Sequence, residues 1–76
     1  MNATFKVDLT SLDYPRPRER QVKLWREMIA KKMTVPPIRV ARSPRLPPDK
    51  WRAISGAPVI EAARREGLTT LDAVVF

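Results

Sequence analysis

Eight prolines among 76 residues cut this chain into pieces too short for most architectures. A proline has no amide hydrogen to give a helix or sheet interior, and it pushes the residue before it toward extended backbone. Pro15 and Pro17 close off the opening segment, Pro36 and Pro37 end whatever precedes them, and "SPRLPPD" stiffens a third junction. Pro58 falls where a helix can begin, since the amide it lacks would have been unbonded anyway. One long helix has room, between Pro17 and Pro36, and the other segments must be short.

The pattern within each piece says what it becomes. In "TFKVDL", residues 4–9, Phe5, Val7 and Leu9 alternate with Lys6 and Asp8, the period of a half-buried strand. "TSLDYPRPRER" breaks that period and reads as an extended, basic connector. Over residues 18–33 the spacing turns helical, with Val22, Trp25, Ile29 and Met33 recurring at three and four, and Leu24 and Met28 widening the stripe. Glu19 with Lys23 and Glu27 with Lys31 are i,i+4 pairs in the favourable order, each worth ~0.2–0.5 kcal/mol on an exposed face.

Beyond the paired prolines, residues 38–42 read as a strand with Ile38 and Val40 on one face and Arg39 and Ala41 on the other. "KWRAIS" is a third strand, able to form a hairpin with the second across the proline loop. Gly56 follows, then a helix over residues 58–66 whose apolar face is Val59, Ile60 and Ala63, with Gly67 as its stop. "TTLDAVVF" closes as a fourth strand. The order strand, helix, strand, strand, helix, strand predicts one α+β domain over residues 1–76, a small mixed sheet of about four strands with two main helices. Trp25, Ile29, Val40, Ile54, Ile60, Ala63, Val74 and Phe76 are the expected core, and Trp51 reads as a core residue in preference to an interface anchor.

Composition then narrows function. The chain has no Cys and no His, which removes thiol nucleophiles, disulfides, Cys/His zinc sites and imidazole bases. Asp8, Asp13, Asp49, Glu61 and Asp72 are scattered, without the clustering that catalytic metal ions need. No metal, cofactor or enzymatic activity is expected. Apolar runs are only a few residues long, and "MNATFKVDL" lacks a signal-peptide core, so the expectation is a cytoplasmic protein with no membrane partner.

Charge is the strongest signal. The formal net charge is +7, and residues 16–52 hold twelve basic residues against three acids. Such a field concentrates polyanions, of which nucleic acid is the commonest in a cytoplasm. The expected contacts are Arg16, Arg18, Arg20, Lys23, Arg26, Lys31, Lys32, Arg39, Arg42, Arg45 and Arg52. Arg dominates, and its planar fork suits phosphate. With no helix-turn-helix, binding is expected to be non-specific. The bland alternative is a soluble, Arg-rich surface.

Three stretches together resemble a known module: "FKVDLTSLDYPRPR", then a helix leading into "PPIRVA", and above all "WRAISGAPVIEAARREGLTTLDAVVF". The chain is similar to the amino-terminal domain of ParB-type partition proteins, within the ParB/sulfiredoxin-like superfamily. The resemblance implies a nucleotide-phosphate box of the form Gly-Glu-Arg-Arg-x-Arg-Ala after the third strand. Here Gly56 and Ala62 stand in place, but Ala57, Pro58, Val59, Ile60 and Glu61 lie between them, so every basic side chain of the box is absent. Each charge-assisted phosphate bond lost costs about 1.5–3 kcal/mol, so nucleotide binding is not expected. Sulfiredoxin chemistry needs a Cys that this chain does not have. Gly56 is then expected to serve the turn, with Val59 and Ile60 recruited to packing and only the amides of Ala57, Val59 and Ile60 left for an anion. The alternative to nucleic-acid binding is a protein-interaction or homodimerisation module that has lost its nucleotide.

Overall fold

A computed structural model describes residues 3–75. Its elements run β1 (Phe5–Asp8), a 3-10 turn (Leu9–Ser11), β2 (Leu12–Asp13), α1 (Glu19–Ala30), β3 (Ile38–Ala41), β4 (Trp51–Ser55), α2 (Ala57–Arg65) and β5 (Thr70–Val75). The strands form one five-stranded sheet in the order β1-β5-β3-β4-β2. β1 pairs antiparallel with β5 and β3 antiparallel with β4, while β3–β5 and β2–β4 are parallel. The mixed α+β architecture with two helices is the one expected, with five strands in place of about four.

The extra strand is β2, inside the segment that reads as a connector. Leu9 and Leu12 are both buried, and the 3-10 turn that starts at Leu9 brings Leu12 onto the same core. Two residues then pair with β4, Leu12 with Trp51 and Asp13 with Arg52, before Pro15 forbids more. A strand of two residues carries no detectable period.

One face of the sheet makes the core. Val7, Ile38, Val40, Ala53 and Ala73 are buried against Val59, Ile60 and Ala63 of α2, and Val22 of α1 is fully buried. Trp25 and Ile29 are half-buried against this cluster, and Val74 is also half-buried. Phe5 of β1 and Trp51 of β4 meet with ring centroids 5.5 Å apart although two strands separate them, so the sheet curls around its core. The opposite face presents Lys6, Arg52 and Asp72 to solvent.

Ile54 corrects the expected core: it is 45% exposed. Alternation along β4 turns Ala53 inward, which sends Ile54 outward. The register of β3 against β4 also slips here, with Arg39 opposite Ser55 but Val40 opposite Ala53. Ile54 is the extra residue of a bulge, and both bulge residues are exposed. Phe76, another expected core residue, lies outside the described residues.

α1 is also shorter than residues 18–33. It stops at Ala30, and Lys32 takes φ +57°. The Met33 amide donates to the Met28 carbonyl at 3.0 Å and the Lys32 amide to that of Ile29 at 2.9 Å, a Schellman closure with lysine where glycine is usual. Left-handed backbone costs an L-residue about 1–2 kcal/mol, partly offset because glycine would loosen the unfolded chain. Lys32→Gly should therefore stabilise the fold by about 0.5–1 kcal/mol, read as a raised urea midpoint at unchanged slope. α2 ends the same way with the expected residue: Gly67 has φ +82°, Leu68 donates to Ala63 at 3.0 Å and Gly67 to Arg64 at 3.1 Å. Met33 itself is 52% exposed and Leu24 59%, so neither belongs to the buried stripe.

Candidate nucleic-acid interface

Fifteen cations are spread unevenly between partnered and free. Among the described residues, four meet a carboxylate: Lys6 with Asp72, Arg26 with Glu66, and Arg64 and Arg65 with acids of the two helices. Neither i,i+4 pair expected on α1 forms among them. Glu19 turns instead across to α2 and takes a fork from Arg65, Nη2 to Oε1 at 2.6 Å and Nη1 to Oε2 at 2.7 Å. Among the described residues that leaves Lys23 and Lys31 outside any salt bridge.

The eleven expected contacts do not form one surface. Arg20 and Lys23 lie along one exposed arc of α1 that its C-cap Lys31 continues, with Glu27 the single acid among them. Arg16 and Arg18 precede that helix and are exposed, Arg16 lining a polar cleft with Tyr14, Glu19, Glu61, Arg64 and Arg65. Lys32 follows the helix. Arg52 is on the open face of the sheet, away from the helices, and Arg39 is exposed at the mouth of the groove before α2. Arg45 is in the β3–β4 loop.

Two of the set are engaged elsewhere. Arg26 Nε donates to Glu66 Oε2 at 2.9 Å, tying α1 to the end of α2. Arg42 stacks 3.8 Å from the Trp51 ring centroid and donates to the carbonyls of Pro48 and Lys50, which holds the proline loop against β4. Lys50, in the same loop, donates from Nζ to the Thr10 carbonyl at 2.6 Å. The exposed arc of α1 with its leading arginines is thus the largest set of the expected contacts that forms no salt bridge among the described residues.

The turn before α2 is built for packing. Gly56 has φ +91° and is the N-cap, with no side-chain bond capping the helix. A Cβ placed there would sit 2.6 Å from Ile38 Cγ2, so glycine is needed both for the backbone and for the space. Val59 and Ile60 are buried in the core. The Ile60 amide donates to the Gly56 carbonyl at 2.9 Å, which corrects the expectation that three amides remain for an anion. With Pro58 lacking a hydrogen, Ala57 and Val59 supply the two left in the first turn.

Glu61, in the slot expected to be basic, is the centre of a network that the sequence reading passed over. Only 6% of it is exposed. Tyr14 Oη donates to Oε1 at 2.8 Å, Arg64 Nη2 to Oε1 at 2.8 Å and Oε2 at 2.7 Å, and Arg65 Nε to Oε2 at 2.8 Å. The Arg64 guanidinium, with the Tyr14 hydroxyl and Arg65, holds the Glu61 carboxyl down at about 2 against the pull of burial. Burial and the adjoining Glu61 carboxylate push the Tyr14 hydroxyl up, and Arg65 holds Glu19 low. The signal was in the sequence: one acid inside an apolar helix face, with arginines three and four residues on.

No family model matches the chain, and no curated protein matches it. Solved structures do. The chromosome-partitioning protein ParB from Caulobacter crescentus, truncated at its C terminus and complexed with CTP-gamma-S, superposes with a TM-score of 0.81 at 25% identity over 97% of this chain. Sulfiredoxin from Arabidopsis thaliana gives 0.77 at 19% identity, again over 97%. The chain has the ParB/sulfiredoxin-like fold. It spans 44% of that ParB chain and 84% of the sulfiredoxin. The same frame occurs in a free serine kinase in complex with AMP, with a TM-score of 0.81 at 11% identity, of which this chain covers 30%. Where the resemblance implies a basic box, this chain has an apolar turn and a carboxylate held by arginines. Among the described residues no helix is long and apolar enough to cross a membrane.

Proposed function

We propose that this is a non-enzymatic ParB-like domain that binds nucleic acid through phosphate contacts, along the exposed arc of α1 and its leading connector. The observation that carries the reading is this arc: Arg20 and Lys23 on one side of α1 with Lys31 at its C-cap, preceded by Arg16 and Arg18, and among the described residues none of these five forms a salt bridge with a carboxylate. A row of cations interrupted only by Glu27 can follow a phosphate backbone, and with no helix-turn-helix to seat a recognition helix in the major groove the contacts in this reading are mostly to phosphate.

The absence of catalysis in this reading is supported by the state of the one buried acid. A carboxyl held near 2 is a poor proton acceptor at neutral pH, because proton transfer is most effective when the group titrates near the working pH. Among the described residues no three acids lie together as a metal site would need.

Salt dependence tests the proposal. Counterion release makes log affinity fall linearly with log salt, at roughly −0.9 per phosphate neutralised on duplex DNA. Removing Arg20, Lys23 and Lys31 together to alanine should flatten that slope by about two to three, with sequence preference unchanged. Lys6→Ala, on β1 and already paired with Asp72, should leave it within about half a unit. No binding of duplex or single-stranded DNA at about 50 mM salt, where such contacts are strong, would overturn the reading.

A further inference from the structure

α1 has a third side, neither buried nor charged. At about 100° per residue, Leu24 and Met28 fall on the flank between the basic arc and Trp25, and Met33, past the helix end, lines the same groove. Leu24 and Met33 are among the most exposed large apolar residues in the protein. With Trp25 and Met28 they line a shallow groove of about 340 Å³, edged by Glu27 and Lys31. Leu24 and Trp25 also wall a larger groove of about 650 Å³ that runs past Pro36 and Pro37 to Gly56. The strip is apolar along its floor and borders the row of Arg20, Lys23 and Lys31.

We propose that this strip is the docking site for an acidic amphipathic helix of a partner protein. Leu24 and Met28 lie one helical turn apart and Met33, past the closing turn of α1, lines the same groove, so the strip can take the apolar stripe of a facing helix. The neighbouring charge sets the sign of that helix, because three cations against the lone Glu27 attract carboxylates flanking its stripe. The same charge argues against a second copy of this chain, since symmetric pairing through the strip would bring two such rows together. Duplex nucleic acid can engage the cations but offers no apolar surface to cover Leu24, Met28 and Met33. The inference stands apart from the nucleic-acid reading, and if both hold, peptide and DNA compete for Arg20, Lys23 and Lys31.

The probe is a synthetic amphipathic helix with a leucine stripe flanked by glutamates, followed by fluorescence anisotropy without nucleic acid. It should bind, and versions with lysine for glutamate or serine for leucine should not. Leu24→Ser and Met33→Ser should each weaken it about tenfold, the loss expected of interface residues that carry the contact. Thermal unfolding of both variants should stay close to that of the parent, because neither side chain is in the core. Equal binding of the glutamate and lysine helices would overturn the proposal, as would an unchanged affinity in Leu24→Ser. So would a dimer in sedimentation that Leu24→Ser dissociates, since a second copy then covers the strip. DNA binding that falls as far as peptide binding in Leu24→Ser would assign the strip to nucleic acid instead.

Discussion

Gly56→Ala is expected to lower stability by about 3 kcal/mol, the sum of a left-handed backbone that costs an L-residue about 1–2 and an overpacked contact that costs about 1–3. The clash is specific. The new Cβ meets the branch methyl of Ile38 at 2.6 Å, its Cβ at 3.2 Å and its backbone Cα at 3.7 Å. Ile38 is itself buried in the central strand β3, so it has nowhere to retreat. Adding Ile38→Leu removes that methyl while keeping volume, and should recover the steric share but not the backbone share. Gly67→Ala isolates the latter, for Gly67 has φ +82° and nothing within 4 Å of an added Cβ; it should cost about 1 kcal/mol. In a domain of this size 3 kcal/mol corresponds to a fall in melting temperature on the order of 15 °C. Equal losses at Gly56 and Gly67 would show that strain, not space, sets the need for glycine before α2.

Glu61→Ala should cost about 2–3 kcal/mol, less than the ~3–5 of a wholly buried ion pair because Arg64 and Arg65 can turn to water. It strands the Tyr14 hydroxyl and unties Arg65 from the middle of α2. The same carboxylate makes stability depend on pH. Its value falls from 4.5 to about 2 on folding, so the unfolded chain binds the proton first. Stability is therefore complete above about pH 5 and is lost as pH drops through 4.5 toward 2. At ~1.4 kcal/mol per pH unit the loss reaches at most about 3 kcal/mol, and about 2 once solvent screening of the exposed guanidiniums is counted. Glu61→Gln keeps an acceptor for Tyr14 but no charge, and urea unfolding across that range should show its acid limb flattened. An acid limb as steep as the parent's would place the titrating group elsewhere.

How much of this was legible in the sequence follows the physical range of each signal. The prolines placed the long helix, the hairpin and the start of α2, because their effect acts on their own backbone and the residue before. The glycine turn and the apolar face of α2 were legible for the same local reason. β2 was not, since two residues paired to a strand some forty positions away leave no periodicity. The ion network was illegible in its partners but not in its centre: Glu61 among Val59, Ile60, Ala62 and Ala63 is a visible anomaly, yet that Tyr14 and Glu19 complete it depends on how α1 and the connector cross α2. On α1, Leu24 and Val22 have similar hydropathy, and only packing decides that one is fully buried and the other 59% exposed. Charge was legible as a total and not as a surface, because Arg26 and Arg42 found partners 40 and six residues away.

The pairing of β1 with β5 also bears on how the chain reaches this shape during synthesis. Lys6 and Asp72, which face each other in that pairing and bond at 3.2 Å, are 66 residues apart, so every element through β5 must leave the ribosome before β1 has a strand neighbour. Until then Phe5 and Val7 remain on an open edge, the kind of segment that draws chaperones or pairs with the wrong chain. Closure over so long a loop also slows folding relative to a helical protein of equal length. The central position of β3 between β4 and β5 offers a remedy: β3, β4 and α2 can assemble first from residues near in sequence, leaving β5 and then β1 to be added as the last strands of the sheet.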